Sequence, residues 1–318
     1  MRSVLLVKTS SLGDVIHNLP VVSDLHRMWP NMAIDWVVEE SFADIPRMHS
    51  AVRKIIPVAI RRWRHDIRNR ATRQEIKVCI RELRANYYDM VIDTQGLIKS
   101  ALITRLAQGL RCGYARESAR EPLAAWAYDC QFAIPRNAHA VERNRWLSAA
   151  AGEYSLELPL HYGLSIGDDA PSWLPQKPYV VMLSATSRPD KLWPEENWIA
   201  LGQALFVKGL VCVLPTGNDT ERERAERIAL EIPNAIVAPP SSLNELAIVM
   251  RDARCVVGVD TGLTHLAAAL NRPVAAIYVA TDPGLTGVYA GNNAKNIGGA
   301  GQVPTPNDVF TALSPYLT

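Results

Sequence analysis

Motifs that mark several large families of nucleotide-binding proteins are missing from this 318-residue sequence. There is no G-x-G-x-x-G, which argues against a Rossmann dehydrogenase, and no G-x-x-x-x-G-K-[ST], which argues against a P-loop NTPase. No D-x-D triplet is present, so a pair of carboxylates that holds a divalent metal on a diphosphate is not expected. The Tyr-x-x-x-Lys motif is also absent, which argues against a sugar-nucleotide epimerase or reductase. We therefore expect a phosphate-binding site built from helix termini and basic side chains, with no cofactor and no essential metal.

The sequence is also short of cysteine and of long apolar runs. Its five cysteines are odd in number and form no C-x-x-C pair, so neither a disulfide framework nor a zinc site is expected. Cys212 and Cys255 lie in apolar runs and are interpreted as small buried hydrophobic residues. No apolar run approaches the roughly 18 residues that span a bilayer, and the N-terminus lacks the core of a signal peptide. These features predict a cytoplasmic protein.

Charge is distributed unevenly along the chain, although the net charge is only +2. Residues 1–160 carry 23 Lys and Arg against 17 Asp and Glu, and eleven basic residues lie between 53 and 84. A solvated arginine-rich helix is the usual explanation for such a run. The segment RRWRHDIRNR (61–70) also places three arginines around Trp63, which is typical of a surface that meets an anionic partner. No nucleic-acid-binding module is recognisable, so a nucleic-acid partner is not expected.

Short β-rich runs alternate with longer segments of helical period along the whole chain. Strands are predicted at 3–7, 33–38, 54–58 and 90–94, and then at 179–183, 210–214, 235–238, 255–259 and 274–278. This alternation indicates βαβ units and parallel sheets. We predict an α/β protein in which two Rossmann-like, doubly wound domains face each other across a cleft.

The boundary between the domains is marked by composition. Residues 161–178 are rich in proline, glycine and aspartate and are interpreted as a linker. They separate an N-terminal domain at 1–160 from a C-terminal domain at 179–300. In the remaining tail, 301–318, the segment FTALSPYL (310–317) predicts a short helix that packs back onto the first domain.

The segment KTSSLGDVIHNLP (8–20) directly follows the first predicted strand. Ser11 and Asp14 have the spacing of a capping box, in which the carboxylate has only a structural role. Ligands of doubly wound sheets bind outside the carboxyl ends of strands. The alternative is that Asp14 is a reactive carboxylate held at the cleft. The local sequence favours neither alternative.

The loop GVDTGLTHLAAAL (258–270) follows a predicted strand in the second half. A helix that begins near Gly262 would present its N-terminal N–H groups to an anion, and His265 could donate to a phosphate oxygen. The structural alternatives are a packed helix histidine for His265 and a simple N-cap for Asp260.

Two further loops of the second half carry phosphate- or ribose-binding candidates. Thr186, Ser187 and Lys191 offer hydroxyl and ammonium donors after the strand at 179–183, although Lys191 would equally suit a solvated surface. Glu221 lies near a predicted helix start, where a carboxylate can bind a ribose diol or simply match the helix dipole.

Nine motifs occur in a characteristic order and spacing. They are KTSSLGDVIHNLP, WVVEE (36–40), VAIRRWR (58–64), DTQGLIKSALITRLA (93–107), AREP (119–122), HAVER (139–143), SATSRPDKLWPEENW, VDTGLTHLAAAL and TDPGLTG (281–287). Together they resemble the lipopolysaccharide heptosyltransferases, from residue 1 to about 290. Types II and III of that family share the overall scheme but resemble the N-terminal segments less.

The resemblance implies a GT-B fold and an inverting transfer of L-glycero-D-manno-heptose from ADP-heptose to the inner Kdo of Kdo-lipid A. By motif it makes Asp14 the catalytic base, and the charge of Lys191 would stabilise the departing ADP without metal. The donor site implied is Thr186, Ser187, Lys191, Glu221, Ser241, Asp260, Thr261, Gly262 and His265. The acceptor side implied is Arg61, Arg62, Arg64, Lys99, Arg120, His139 and Arg143.

Two positions depart from the family pattern. Ser187 stands where a second threonine is usual and keeps the hydroxyl group, whereas Ser184 replaces a usual histidine and removes an imidazole.

The resemblance also places the acceptor on the cytoplasmic face of the inner membrane. The basic segment at 61–73 could hold the enzyme peripherally at that anionic surface, at about 1 kcal/mol per basic residue.

Two other function classes remain as alternatives. A related heptosyltransferase would act at a later core position, although the segments 58–64 and 139–143 favour the first transfer. A non-catalytic two-lobed binding protein is the other alternative, but such proteins are typically exported.

Overall fold

A computed structural model of the chain describes residues 2–157 and 159–317. The chain divides into two compact units, of which the first ends at Ser165 and the second begins at Ile166. The division falls inside the stretch at 161–178 that the composition predicts to be a linker. Each unit is an α/β domain with its own sheet.

The first unit contains one six-stranded parallel sheet. Its strands are β1 (Ser3–Val7), β2 (Ala33–Glu39), β3 (Val52–Val58), β4 (Tyr87–Asp93), β5 (Gln108–Tyr114) and β6 (Cys130–Phe132). Its helices are α1 (Leu12–Ile16), α2 (Leu19–Met28), α3 (Asp44–Arg47), α4 (Ile60–Trp63), α5 (Arg70–Leu83), α6 (Ile98–Leu106) and α7 (Ala140–Gly152), with short 3₁₀ helices at Glu40–Phe42 and Pro122–Ala127. The strand order is β3-β2-β1-β4-β5-β6, the order of a doubly wound dinucleotide-binding fold.

The second unit repeats this arrangement. Its strands are β7 (Tyr179–Leu183), β8 (Val211–Leu214), β9 (Ile236–Val237), β10 (Cys255–Val259), β11 (Val274–Tyr278) and β12 (Ala294–Gly298). Its helices are α8 (Glu195–Val207), α9 (Asp219–Leu230), α10 (Leu243–Asp252), α11 (Gly262–Ala269), α12 (Pro283–Thr286) and α13 (Pro306–Leu313), with 3₁₀ helices at Pro189–Lys191 and Ser314–Tyr316. The parallel order β12-β11-β10-β7-β8-β9 matches that of the first sheet when each unit is numbered from its own first strand.

The register of the central strands determines which loops meet. Val7, the last residue of β1, lies opposite Val37 of β2 and Asp93 of β4. In the second sheet Val259 of β10 lies opposite Ile277 of β11, and the residue before it pairs with Leu183 of β7. The segments after β1, β2 and β4 therefore adjoin one another, as do those after β7, β10 and β11.

The central strands are nearly continuous apolar runs because both faces of each sheet are covered. Every residue of 4–7 and of 180–182 is fully buried, and so are Cys212 and Cys255. All five cysteines are unpaired, which confirms the interpretation of Cys212 and Cys255 as small hydrophobic residues. No helix in the described parts of the chain is long and apolar enough to cross a membrane.

Three strands are not predicted from the sequence, and they lie towards sheet edges. β5 contains two glycines, and Gly113 is required there because a Cβ atom would overlap the ring of Tyr128. The apolar spacing of LIKSALITRLAQGL (97–110) has a helical period to its end, but the helix stops at Leu106 and the next residues enter β5. β6 and β12 are short outer strands with a weak apolar pattern.

The predicted C-terminal helix forms, and its apolar residues belong to the core of the second unit, where packing on the first was expected. α13 lies against α8 and β11, and Val309, Leu313 and Leu317 belong to the core of the second unit. Val309 and Leu313 are four residues apart and give the helix one apolar face, and Leu317 follows after the next 3₁₀ helix. The indole Nε1 of Trp193 adds a hydrogen bond of 2.9 Å to the carbonyl oxygen of Pro304, just before the helix.

Shortening Leu313 tests this packing. Leu313 is 1% exposed and Leu230 is 84% exposed. Leu313→Ala should lower the free energy of unfolding by about 2–5 kcal/mol, because it removes buried methyl groups and leaves a cavity. Leu230→Ala should change it by less than about 0.5 kcal/mol. Urea denaturation followed by circular dichroism measures both. Equal midpoints for the two variants would contradict the packing described.

Candidate active site

Asp14 lies in the first turn of α1, immediately beyond the carboxyl end of β1. Its Oδ2 accepts hydrogen bonds from the backbone N–H of Ser11 at 2.9 Å and from the Ser11 hydroxyl at 3.0 Å. A guanidinium nitrogen of Arg120 lies 3.7 Å from the same oxygen. The capping contact and the charged surroundings coexist, so the two interpretations of Asp14 do not exclude each other.

The carboxylate of Asp14 is kept ionised by its neighbours. Burial alone would raise its pKa, but the charge of Lys8, the hydrogen bonds from Ser11 and the charge of Arg120 together hold the pKa below its usual value. Asp14 is therefore ionised at neutral pH, which is the form that accepts a proton.

Lys8 is a buried cation next to this carboxylate. Its ammonium group donates to the carbonyl oxygen of Thr94 at 2.8 Å and to Oδ1 of Asn144 at 3.3 Å. Burial lowers its pKa to about 8, with Asp14 and Asp93 acting in the opposite direction. At neutral pH Lys8 is therefore mostly protonated and supplies positive charge from inside the protein.

The loop that precedes Asp14 is held by the loop after β4. Gln95 Oε1 accepts from the backbone N–H and the hydroxyl of Thr9, at 2.7 and 2.8 Å, and Gln95 Nε2 donates to the carbonyl oxygen of Ser10. The backbone N–H of Gln95 in turn donates to the buried carboxylate of Asp93 at 2.8 Å. The strand register thus fixes the backbone that carries Asp14.

Two of the predicted acceptor-side residues lie beside this loop. Lys99, in the first turn of α6, donates to the Ser10 hydroxyl at 2.7 Å, and Arg120 approaches Asp14 as described. Burial lowers the pKa of Lys99, with Glu39 acting in the opposite direction. Lys99 and Arg120 therefore give the surroundings of Asp14 a positive charge.

Two more predicted residues, His139 and Arg143, lie at the start of α7. His139 is buried, and its Nδ1 accepts from the backbone N–H of Val141 at 3.2 Å, which caps the helix. The guanidinium of Arg143 stacks 4.9 Å from the ring centre of Tyr114 and donates to the carbonyl oxygen of Ser118 at 2.6 Å. Both residues thus have well-defined structural contacts.

The arginines of α4 differ in how they are held. Arg62 bonds both oxygens of Glu40, at 3.2 and 3.1 Å, and one oxygen of Glu75 at 2.8 Å. These carboxylates raise its pKa further above the ordinary arginine value. Arg62 is therefore already neutralised within its own unit.

Arg61 of this helix and Arg64 just after it form no salt bridge with a carboxylate side chain of the described residues. Arg61 donates its backbone N–H to Glu39 at 3.0 Å, while its guanidinium lies 5.3 Å from the ring centre of Phe42. Arg64 follows the helix and is exposed.

In the second unit, Asp260 is the centre of a compact polar cluster. Its Oδ2 accepts from the ammonium of Lys191 at 2.6 Å and from the hydroxyl of Thr281 at 2.7 Å, and His265 Nε2 lies 3.9 Å from Oδ1. Burial would raise the pKa of Asp260, but the hydrogen bonds from His265, Lys191 and Thr281 hold it well below its usual value. The cluster pairs an ionised carboxylate with a lysine.

The residues of this cluster lie on the loops that follow three neighbouring strands. Lys191 and Thr186 follow β7, Asp260 follows β10 and Thr281 follows β11, and β10 lies between the other two. The hydroxyl of Thr186 also donates to the carbonyl oxygen of Asp260 at 3.1 Å. The predicted residues Thr186, Lys191, Asp260 and His265 are thus brought together.

The same cluster adjoins the start of α11. Thr261 is the N-cap and Gly262 the first helical residue. The first N–H groups of a helix have no partner within the helix, so this end suits an anion. The hydroxyl of Thr264 instead donates back to the carbonyl oxygen of Val259 at 2.7 Å, next to Gly258, where a Cβ atom would collide with it.

The remaining predicted donor residues hold their own loops. Ser187 is exposed. Glu221 accepts from the backbone N–H of Gly217 at 2.8 Å, and the Ser241 hydroxyl donates to the carbonyl oxygen of Pro239 at 2.9 Å. Glu221 and Ser241 follow β8 and β9, and none of their hydrogen bonds among the described residues reaches Asp260.

The sequence analysis does not identify Arg224 of α9. Its guanidinium donates to the carbonyl oxygens of Trp193 at 2.6 Å and Ser184 at 3.4 Å, and to Glu195 at 2.8 Å. Ser184 and Trp193 stand at the two ends of the loop that carries Lys191. Arg224 therefore holds this loop, a role that nothing in the charge pattern of α9 distinguishes.

Lys8, Gln95 and Thr281 are also missed as functional candidates, although each lies in a motif that carries the family resemblance. The sequence feature that could have identified them is a polar residue within a few positions of the carboxyl end of a predicted parallel strand. No group of three or more His, Cys, Asp or Glu side chains that could hold a metal ion is found within 2–157 and 159–317.

Comparison with known proteins identifies the family. The model for glycosyltransferase family 9 (heptosyltransferase) matches residues 76–309. The chain belongs to this family. The heptosyltransferase is 46% identical to lipopolysaccharide heptosyltransferase 1 of Escherichia coli K12 over 91% of both chains. It is also 46% identical to the Pseudomonas aeruginosa protein of the same name, over 90% of this chain and 81% of that one.

Solved structures agree with this assignment. The Escherichia coli heptosyltransferase WaaC with ADP matches with a TM-score of 0.91 and 42% identity, over 99% of both chains. Escherichia coli heptosyltransferase II matches at a TM-score of 0.80 and 22% identity, which shows the fold alone. The predicted GT-B fold and the resemblance are confirmed, and the chain is a glycosyltransferase of lipopolysaccharide synthesis.

Replacing Lys8 tests its effect on Asp14 in this heptosyltransferase. Lys8→Met removes a charge that lowers the pKa of Asp14, so the titration of the Asp14 carboxyl group should move to higher pH. Lys99→Met, which removes an ammonium that is not among the main influences on Asp14, should move it less. Carboxyl-carbon NMR of protein labelled at aspartate measures both titrations, with Asp14→Asn to assign the signal. An unshifted titration in Lys8→Met would refute the assigned influence.

Proposed function

We propose that this heptosyltransferase moves L-glycero-D-manno-heptose from ADP-heptose to the inner Kdo of Kdo-lipid A, with inversion at the anomeric carbon. The observation that carries the proposal is the Asp14 carboxylate, which is partly buried yet ionised and lies near the positive charges of Lys99 and Arg120. Two solved relatives, at 42% and 41% identity, are the Escherichia coli enzyme with ADP and with ADP-2-deoxy-2-fluoro heptose.

The proposed chemical step is a single displacement. The acceptor hydroxyl oxygen attacks the anomeric carbon of the heptose as Asp14 takes the hydroxyl proton. The new glycosidic bond forms while the bond from that carbon to ADP breaks, and ADP leaves with the bonding electron pair. A carboxylate with a low pKa is a weak base, so its positioning matters more than its basicity.

The departing ADP gains negative charge, which the cluster around Asp260 is built to receive. Lys191 supplies a cation, and the first turn of α11 at Thr261 and Gly262 supplies N–H groups. Asp260 holds the ammonium of Lys191 and thereby positions it for a phosphate oxygen. Neither contribution requires a metal ion.

The other donor contacts follow from the matched motifs. We assign the hydroxyl groups of Thr186 and Ser187 and the imidazole of His265 to the diphosphate. Glu221 is assigned to the ribose and Ser241 to the adenine pocket.

The acceptor side is assigned to basic residues of the first unit, because Kdo carboxylates and lipid A phosphates are anionic. The residues are Arg61, Arg62, Arg64, Lys99, Arg120, His139 and Arg143. The contacts above support Lys99 and Arg120 most directly, since both lie beside the loop of Asp14. We also propose peripheral association with the cytoplasmic face of the inner membrane through the basic segment at 61–73.

The sequence identities to heptosyltransferases 1, 2 and 3 support the first heptose transfer over a later one. Identity is 46% with the Escherichia coli K12 protein named lipopolysaccharide heptosyltransferase 1 and 26% with the Campylobacter coli protein of that name, whereas it is 23–26% with the relatives named heptosyltransferase 2 or 3. Because all of these relatives cover most of the chain, the difference reflects the whole sequence.

Removing the base tests the mechanism. Asp14→Asn should lower kcat for heptose transfer to Kdo-lipid A by about 10²–10⁴-fold, since general-base catalysis contributes that much. Asp44→Asn is the matched control, because Asp44 is an exposed carboxylate of the same unit paired with Arg47 at 2.7 Å. Its activity should stay within about twofold of wild type.

Two results would overturn these assignments. Near-wild-type turnover by folded Asp14→Asn would remove Asp14 from the role of base. Transfer by the wild-type enzyme only to an acceptor that already carries heptose would place the enzyme at a later core position.

Replacing Arg224 and Arg227 separately by glutamine tests whether Arg224 positions the loop that carries Lys191. Arg224 and Arg227 both bond Glu195, but Arg224 alone of this pair also donates to the carbonyl oxygens that end the loop. Arg224→Gln should raise the KM for ADP-heptose about tenfold, whereas Arg227→Gln should change it less than about twofold. Steady-state kinetics at saturating acceptor separates KM from kcat. Equal effects of the two variants on KM would mean that Arg224 acts only through its ion pair with Glu195.

A further inference from the structure

We propose that four exposed apolar side chains of the first unit form a surface that rests on an anionic lipid bilayer. Ile98 and Leu102 belong to α6, and Leu123 and Trp126 belong to the 3₁₀ helix Pro122–Ala127. We call these four residues the apolar patch. The inference rests on the proposed function, in which the acceptor is anchored in a membrane.

The two helices that bear the patch form one rigid support. Ala101 of α6 packs with Ala124 and Tyr128 in a small core of its own. A side-chain oxygen of Glu121 accepts from the backbone N–H of Ile98 at 2.6 Å and so joins the start of α6 to the 3₁₀ helix. The patch residues are therefore held in fixed positions relative to one another.

The spacing places the patch residues on the outer faces of these helices. Ile98 and Leu102 are four residues apart on an α-helix, and Leu123 and Trp126 are three apart on a 3₁₀ helix, so each pair shares a face. Leu102 is 62% exposed and Trp126 is 80% exposed. Tryptophan is mostly buried in soluble proteins, and an exposed apolar cluster marks an interaction site.

Charge identifies a membrane as the partner. The segment 98–137 contains six Lys and Arg against three Asp and Glu, which matches an anionic lipid surface. A second exposed apolar pair, Val207 and Leu230, has the opposite surroundings, since 219–231 contains five acidic residues against three basic ones. Only the first set combines an exposed tryptophan with positive charge, as interfacial membrane-binding surfaces do.

The patch is also continuous with the surroundings of Asp14. Lys99, the neighbour of Ile98, reaches the loop before Asp14 by its bond to Ser10, and Arg120 precedes the 3₁₀ helix and approaches Asp14. An amphiphilic acceptor has its sugar at the reactive carboxylate and its acyl chains in the bilayer. A bilayer at the patch places those two ends on one side of the first unit.

The experiment compares two double variants of the full-length protein in vesicle co-sedimentation. L102Q/W126Q removes the two most exposed patch residues, and V207Q/L230Q removes a comparable apolar area in acidic surroundings. With vesicles of phosphatidylethanolamine and phosphatidylglycerol, L102Q/W126Q should bind about tenfold more weakly than wild type. V207Q/L230Q should bind as wild type does, and phosphatidylcholine vesicles should bind all three proteins weakly.

Heptose transfer supplies the second measurement. L102Q/W126Q should keep wild-type activity on a deacylated, water-soluble Kdo-lipid A but lose about tenfold on acceptor embedded in vesicles. Unchanged vesicle binding by L102Q/W126Q would overturn the inference. If heptose transfer to the embedded acceptor fell while vesicle binding stayed unchanged, the patch would instead contact the acyl chains of the acceptor. A wild-type dimer that L102Q/W126Q converts to monomer in sedimentation velocity would make the patch a contact between copies of this chain.

The same assays separate failure of the inference from failure of the proposed function. A wild-type protein that binds vesicles through the patch but transfers no heptose to the soluble acceptor would contradict the proposed function only. A protein that transfers heptose normally and binds vesicles without help from the patch would contradict the inference only.

Discussion

The parallel register of the central strands is the constraint on which the polar cluster of each unit depends. Because adjacent parallel strands end at the same edge, the loops after β1 and β4 meet in one unit and those after β7, β10 and β11 meet in the other. Gln95 and Asp260 then complete the arrangement by hydrogen bonds between loops. The same strand order, used twice, yields a carboxylate site in one unit and an anion site in the other.

Each unit also keeps a partly buried aspartate ionised with the help of a lysine, but the two lysines act differently. Lys191 contacts Asp260 directly at 2.6 Å, so that carboxylate serves to hold a cation. Lys8 acts on Asp14 through its charge, while its own hydrogen bonds go to Thr94 and Asn144. The hydrogen bonds to Asp14 described above therefore come from Ser11 and not from the lysine.

Sequence reasoning reaches the apolar central strands and the polar residues that follow them, since both leave a local pattern. It misses β5, where Gly113 is dictated by the ring of Tyr128 packed against it, and it misses Arg224, whose partners are backbone carbonyls distant in sequence. It also places the C-terminal helix on the wrong unit, because an apolar face does not specify which core it covers. The roles of individual site residues stay predictions, carried by the matched motifs.

The position of α13 affects the order in which the protein is built. The first unit is one continuous segment that ends at Ser165, so its core is complete while later residues are still being synthesised. The core of the second unit instead includes Val309 and Leu313. That core stays open, with apolar surface of α8 and β11 uncovered, until α13 has left the ribosome. The core of the first unit can therefore form during synthesis, whereas the core of the second unit is complete only after α13 is made.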